Sequence, residues 1–187
     1  MLTVVDDLFT AASEVEAACR AERLTHCFIG GIAVIRWGIP RVTRDLDVSV
    51  MAGFGGERAI VTALMRHFAE RIAGAAGFAE ANRVLLLKTA GGIEIDASLA
   101  ALPFEEEMFR RASTFAPVAG VSLTTCSAED LIVMKAFAAR PRDWSDVEGV
   151  IKRQAGLDWT YVDAMIPPLA ELKPEVDVLG TLARLRG

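Results

Sequence analysis

Apolar residues recur at helical spacing between Val4 and Arg23 (Val5, Leu8, Phe9, Ala12, Val15, Ala18, Cys19), which predicts an amphipathic opening helix. The pattern then shortens. Residues 26–29 form a brief apolar run whose length and flanks predict a buried strand. Gly30-Gly31 interrupts it, and residues 32–37 predict a short helix ended by Gly38 and Pro40. A second strand is predicted over residues 45–50. After a loop at 53–56, residues 57–73 predict a helix with Ile60, Leu64, Phe68 and Ile72 on one face. Residues 82–89 and 93–99 read as strands joined through Ala90-Gly91-Gly92, a hairpin signature. The second of these alternates, with Ile93, Ile95 and Ala97 on one side and Glu94, Asp96 and Ser98 on the other. A short helix at 104–111 and two short strands around Ala119-Gly120 complete this half.

From Ser127 the texture becomes helical. Ser127-Ala-Glu-Asp130 is a capping box ahead of an apolar run. Helices are expected over 131–139, 144–154, 161–172 and 174–185. The predicted fold class is therefore α+β: a mixed sheet flanked by helices over residues 1–126, followed by a C-terminal helical bundle over 127–187. Internal repeats and low-complexity tracts are absent from the sequence.

Composition narrows the function classes. With 52% hydrophobic residues, a 187-residue chain can bury a sizeable core. Its longest apolar runs, residues 28–35 and 131–137, fall far short of the roughly 20 residues that cross a bilayer. The first ten residues carry two aspartates and no basic residue, unlike a targeting peptide. Cys19, Cys27 and Cys126 are widely spaced, without metal-ligand spacing, and fit a reducing, cytoplasmic setting. A formal net charge of −5 argues against a broad nucleic-acid-coating surface but leaves room for a local basic patch.

The candidate chemistry lies in Thr43-Arg44-Asp45-Leu46-Asp47-Val48-Ser49-Val50. On a strand, Asp45 and Asp47 project from one face, separated by roughly 6.5–7 Å along the chain. Unpaired carboxylates this close repel and resist burial. A divalent cation would make the pair tolerable, and Asp96 from a later strand of the same sheet could join them. Three such oxygen donors suit one or two Mg²⁺ ions of the kind that hold substrate phosphates for in-line phosphoryl transfer. Gly30-Gly31 allows close backbone approach, and the helix after it offers free N–H groups to a phosphate. A plainer reading is an edge strand whose acids are neutralised by Arg41 and Arg44.

Gly30-Gly31-Ile32-Ala33 followed by Arg41-Val42-Thr43-Arg44-Asp45-Leu46-Asp47-Val48 resembles the signature of the DNA polymerase β-like nucleotidyltransferases. The Arg-x-Thr-x-Asp-x-Asp form is similar in particular to the AbiEii-type minimal nucleotidyltransferases, the toxin half of type IV toxin–antitoxin pairs. Lys135 and the block Arg142-Asp143-Trp144-Ser145-Asp146 fit the same group, and the resemblance spans residues 26–150. It implies a Mg²⁺-dependent transfer of a nucleoside monophosphate from an NTP to an acceptor hydroxyl. Asp45, Asp47 and Asp96 would bind metal, with Asp96 also the base. Gly30 and Gly31 would hold the triphosphate and Lys135 its phosphates. Arg41 and Thr43 would flank the nucleotide, and Arg142 and Asp143 would complete its side of the site. The implied partners are an NTP, an acceptor such as tRNA, and a cognate antitoxin, with no membrane role. Two alternatives stand beside this: a small-molecule (antibiotic) nucleotidyltransferase, and a non-catalytic or partner-dependent module of the same fold. Taken without the resemblance, Lys135 among Leu131, Ile132, Val133, Met134 and Phe137 reads equally as a snorkelling lysine. Asp143 and Asp146 likewise read as acids at a helix start.

Overall fold

The computed structural model describes residues 2–187, with side chains from residue 7 onward. Two compact units divide the chain: residues up to Ile32 together with Val42–Cys126, and Ala33–Arg41 together with Ser127–Gly187.

The first unit holds α1 (Leu2–Ala21), β1 (His26–Phe28), the start of α2 (Gly30–Trp37), β2 (Asp45–Met51), α3 (Glu57–Leu64), β3 (Ala69–Glu70) and α4 (Ala75–Asn82). It continues with β4 (Val84–Lys88), β5 (Glu94–Ala100), α5 (Pro103–Arg111), β6 (Ser113–Phe115) and β7 (Leu123–Thr125). The strands make one seven-stranded sheet in the order β3-β4-β5-β2-β1-β7-β6. The sheet is mixed: β2 runs parallel to β5 and antiparallel to β1, while β4 runs antiparallel to β5.

Register decides which side chains share a face. Phe28 stands opposite Val48, Leu46 beside Ile95, Val48 beside Ala97, and Leu85 opposite Ala97. With Val50, Leu87 and Leu99 these side chains are at most 2% exposed, and they form the apolar floor of the core. Burying each large one stabilises the fold by roughly 1.5–3 kcal/mol. From α1 come Leu8, Phe9, Ala12, Val15 and Cys19, all buried as the helical spacing predicts.

One polar knot joins α1 to this floor. Buried Glu16 accepts from Thr124 N (2.9 Å), Thr124 Oγ1 (2.9 Å) and Arg20 Nε (2.7 Å), and His26 Nε2 lies 3.1 Å from it. His26 Nδ1 lies 3.0 Å from Leu24 O. Both ring nitrogens therefore face hydrogen-bond acceptors.

Three local expectations give way to long-range pairing. The helix predicted over 57–73 stops at Leu64 as α3, because residues 69–70 pair with Leu87 and Lys88 and satisfy the outer edge of β4. Ile60, Leu64 and Phe68 are nevertheless buried, whereas Ile72 is exposed, so the periodic signal reported burial correctly only as far as Phe68 and helix length wrongly. Residues 75–82 form α4, an element the sequence pattern did not reveal, and the strand predicted from 82 begins at Val84. The helix expected at 32 starts at Gly30, which takes φ +50°.

The second unit packs α6 (Ala128–Ala138), α7 (Pro141–Arg153), α8 (Trp159–Ala170) and α9 (Val178–Arg186) with residues 33–41. Ser127 caps α6 as predicted, its Oγ accepting from Asp130 N at 3.1 Å. Pro141 starts α7 three residues before the expected position, since proline suits the first helical turn. α9 begins at Val178 rather than Pro174, capped by Asp177, whose Oδ1 accepts from Gly180 N at 2.9 Å. Among the described residues no helix is long and apolar enough to cross a membrane.

Burial raises the Glu16 carboxyl, but the His26 and Thr124 interactions outweigh it and bring it down to about 2. A lowered folded-state value means the stabilisation is complete above about 4.5 and is lost as pH falls from there toward 2. The Glu16→Gln variant is expected to lower stability at pH 7 by about 2 kcal/mol and to flatten the acid limb of a urea-unfolding series. An acid limb unchanged from wild type would show that Glu16 does not set it.

Candidate active site

The sheet face opposite the apolar floor carries the chemistry. β2 and β5 lie parallel in register, with Asp45 beside Glu94, Asp47 beside Asp96 and Ser49 beside Ser98. Registered partners share a face, so Asp45, Asp47 and Asp96 point the same way, as the alternation predicts. Asp45 is exposed and Asp47 partly so, whereas Leu46 and Val48 between and beyond them are fully buried.

The glycine pair lies against these acids. Ile29 N donates to Asp47 O at 3.0 Å, and Gly31 N donates to Asp47 Oδ2 at 3.4 Å, both following directly from β1. A Cβ on Gly30 would stand 1.9 Å from Asp47 Oδ2, and one on Gly31 would stand 2.4 Å from Thr43 Oγ1. Neither position admits a side chain. Thr43 is buried and donates through Oγ1 to Asp45 Oδ1 at 2.8 Å, orienting that carboxylate. The turn, the threonine and the first two acids thus form one contact set, with the N-terminus of α2 against Asp47.

Asp96 is held from the other side. Arg71, just past β3, stands 2.7 Å from Asp96 Oδ1 through Nη2 and donates through Nη1 to Glu94 Oε2 at 2.7 Å. The Asp96 contact is a charge pairing without an aligned hydrogen bond, so buried Oδ1 keeps an unused acceptor position. Ser49 Oγ, on the same face, is also buried without a hydrogen-bond partner. Arg71 gave no signal in the sequence, where it fell inside an expected helix. Pairing of residues 69–70 with β4 is what brings it here.

These observations bear on whether the face suits a divalent ion. The donors are hard oxygens, they share a face, and two polar atoms there lack hydrogen-bond partners. Among the described residues no three His, Cys, Asp or Glu side chains are drawn in as a ligand cluster. The residue types and their shared face would suit a hard divalent ion such as Mg²⁺, and Asp96 is engaged by Arg71.

Arg41, Lys135, Arg142 and Asp143, the other nucleotide-side candidates, belong to the second unit. Lys135 Nζ lies 2.9 Å from both Asp143 Oδ1 and Asp146 Oδ2, with only 11% of its side chain exposed. Arg41 forks onto Asp146 (Nε to Oδ1 2.8 Å, Nη2 to Oδ2 2.9 Å), and Arg140 Nε donates to Asp143 Oδ2 at 2.7 Å. Burial raises both aspartates, yet the cations outweigh it and hold both carboxyls below their ordinary range. Asp143 and Asp146 are therefore the buried anions of an ion network tying α6, α7 and the 33–41 segment together, while Arg142 is exposed.

The architecture places the protein among nucleotidyltransferase folds. A nucleotidyltransferase-like antigenic protein from Paracoccidioides brasiliensis aligns with TM-score 0.56 and 15% identity, over 95% of this chain and 93% of that one. The antibiotic-resistance factor ANT(2'')-Ia, in solution, aligns with TM-score 0.56 and 18% identity, over 91% and 95% respectively. Over residues 6–175 the sequence matches the family described as a nucleotidyltransferase of unknown function (DUF6036), and the chain belongs to that family. No curated protein matches the sequence.

Two substitutions test this geometry. Gly30→Ala is expected to lower Tm and displace Asp47, because it adds a side chain at positive φ against the carboxylate. Calorimetry showing an unchanged Tm would contradict the close approach. Lys135→Met should destabilise the protein by about 3–5 kcal/mol, the cost of leaving buried carboxylates short of a partner. A urea titration with a loss below about 1 kcal/mol would instead mean that Lys135 is dispensable to the network.

Proposed function

We propose that this protein transfers a nucleoside monophosphate from an NTP to an acceptor hydroxyl, with Asp45, Asp47 and Asp96 as its metal-binding acids. The observation that carries the reading is the single contact set of glycine turn, Asp47, Thr43 and Asp45, with Asp96 in register on the same face. Bound Mg²⁺ would neutralise phosphate charge and stabilise the attacking and leaving oxygens. Gly30 and Gly31 let the turn pack directly on Asp47 and Thr43, and the start of α2 would bring N–H donors toward a triphosphate. Thr43 keeps Asp45 turned toward the face. The acceptor oxygen bonds to the α-phosphorus as the bond to the β-phosphate bridge breaks. Pyrophosphate leaves, and the acceptor proton passes to the Asp96 carboxylate. The resemblance alone gives Arg41, Lys135, Arg142 and Asp143 a nucleotide role, while Lys135, Arg41 and Asp143 are engaged in the ion network of the second unit.

The finer AbiEii-type likeness suggests tRNA as acceptor and an antitoxin as partner. Charge favours a second reading of the acceptor. The face offers Asp45, Asp47, Glu94 and Asp96 against Arg71 and the exposed Lys88, a sign that suits a neutral or cationic molecule better than a polyanion. Of the basic residues that would meet RNA, Arg140 pairs with Asp143 and Lys152 with Glu148, and Arg153 donates to Gly38 O. The likeness in fold to an antibiotic-resistance factor agrees with the small-molecule alternative.

Wild-type protein incubated with Mg²⁺ and α-labelled NTPs is expected to label one class in a panel of total tRNA and aminoglycosides. Asp47→Asn should reduce labelling about a thousandfold or more, as loss of metal stabilisation implies. A wild type that neither binds NTP with Mg²⁺ nor labels any acceptor would leave the non-catalytic module as the function of this fold.

A further inference from the structure

We infer that Arg71 is the resident counter-cation of the third carboxylate, and that a divalent ion entering the acid face must take Asp96 from it. The inference rests on the metal-dependent reading above and concerns how readily that site takes up its ion.

Arg71 reaches the site from an unusual distance. Its own N–H donates to Leu86 O at 3.0 Å, which fixes its backbone along the outer edge of β4. The carboxylates it meets stand on β5, on the far side of β4. Two strand spacings are roughly 9.5–10 Å, close to the full reach of an arginine across an intervening strand. Lysine would be shorter and would carry one point charge, so it could not fork onto both acids.

The two ends of the fork differ. Toward Glu94, Nη1 makes an aligned hydrogen bond of 2.7 Å. Toward Asp96, Nη2 is equally near, but Oδ1 receives no aligned bond and keeps an open lone pair. Glu94 therefore anchors the guanidinium and Asp96 is its exchangeable partner. Releasing Asp96 need not release Arg71, which can stay on Glu94 at the rim, where that side chain is 58% exposed. Asp96 stands in register with Asp47, as Glu94 does with Asp45, so the oxygen that Arg71 holds by charge lies beside the first metal-binding pair. A guanidinium and a divalent ion compete for it. Arg71 is thus a positioning residue: it keeps the third acid in place before the ion arrives and weakens the ion's binding while doing so.

The test is Mn²⁺ binding to the full chain without nucleotide, followed by electron paramagnetic resonance of the free ion. Wild type, Arg71→Gln, Arg71→Lys and Asp47→Asn are compared, with circular dichroism as the check on folding. Arg71→Gln is expected to bind Mn²⁺ about five- to tenfold more tightly, as removal of a nearby positive charge dictates. Arg71→Lys should fall between it and wild type, and Asp47→Asn should lose binding. A merely structural role for Arg71 would loosen the site, so weaker or unchanged binding in folded Arg71→Gln overturns the inference while leaving the acid site standing. Should Arg71→Gln not fold, Arg71→Lys carries the test, and binding no tighter than wild type overturns the inference. Silence toward Mn²⁺ in both wild type and Arg71→Gln removes the inference and the metal reading together.

Discussion

The structure of the candidate site depends on one close approach: the glycine turn after β1 packs directly on the Asp47 carboxylate. A Cβ at Gly30 would overlap Oδ2, and one at Gly31 would overlap the Thr43 hydroxyl that orients Asp45. The turn therefore does more than reverse the chain. It brings the N-terminus of α2, through the Gly31 N–H, to the carboxylate that the pleat sets beside Asp96. Parallel pairing of β2 with β5 completes the arrangement, because in-register neighbours share a face whatever their separation in sequence.

The acid face and the ion network of the second unit treat charge in opposite ways. In the second, Asp143 and Asp146 are buried among Lys135, Arg41 and Arg140, and the network uses the oxygens it contains. Such a closed cluster serves packing and registry, since breaking a buried pair costs far more than forming it gains. In the first unit the acids outnumber their cations, and a carboxylate oxygen and a hydroxyl lack hydrogen-bond partners. Natural folds satisfy buried polar groups almost everywhere, so Asp96 Oδ1 and Ser49 Oγ set this face apart from the closed network.

Much of this was legible in the sequence for a local reason. Alternation in Asp45–Val50 and in Ile93–Leu99 is a period-2 signal that pleat geometry converts directly into faces, and both strands form where that signal stands. Ser127 caps α6 because its side chain finds Asp130 N three residues on, again a local contact. What escaped was set by partners far along the chain. The run 57–73 has helical periodicity throughout, yet its end becomes β3 because β4 presents an open edge. That one exchange of helix for strand also hid Arg71. The ion network escaped in the same way: nothing near Lys135 in sequence says that Arg41 will meet Asp146.

The polarity of the acid face has an energetic consequence for the fold itself. The sheet buries Leu46, Val48, Ile95 and Ala97 on one side, and on the other sets Asp45 beside Glu94 and Asp47 beside Asp96. Like charges directly opposite on adjacent strands are destabilising. The apolar face must outweigh that repulsion, and Arg71 offsets part of it by lying between Glu94 and Asp96. A sheet under stability pressure alone would place threonine or valine at these positions, as strand propensity favours. Carboxylates held in register against that preference cost the sheet stability, and strand propensity alone does not account for them.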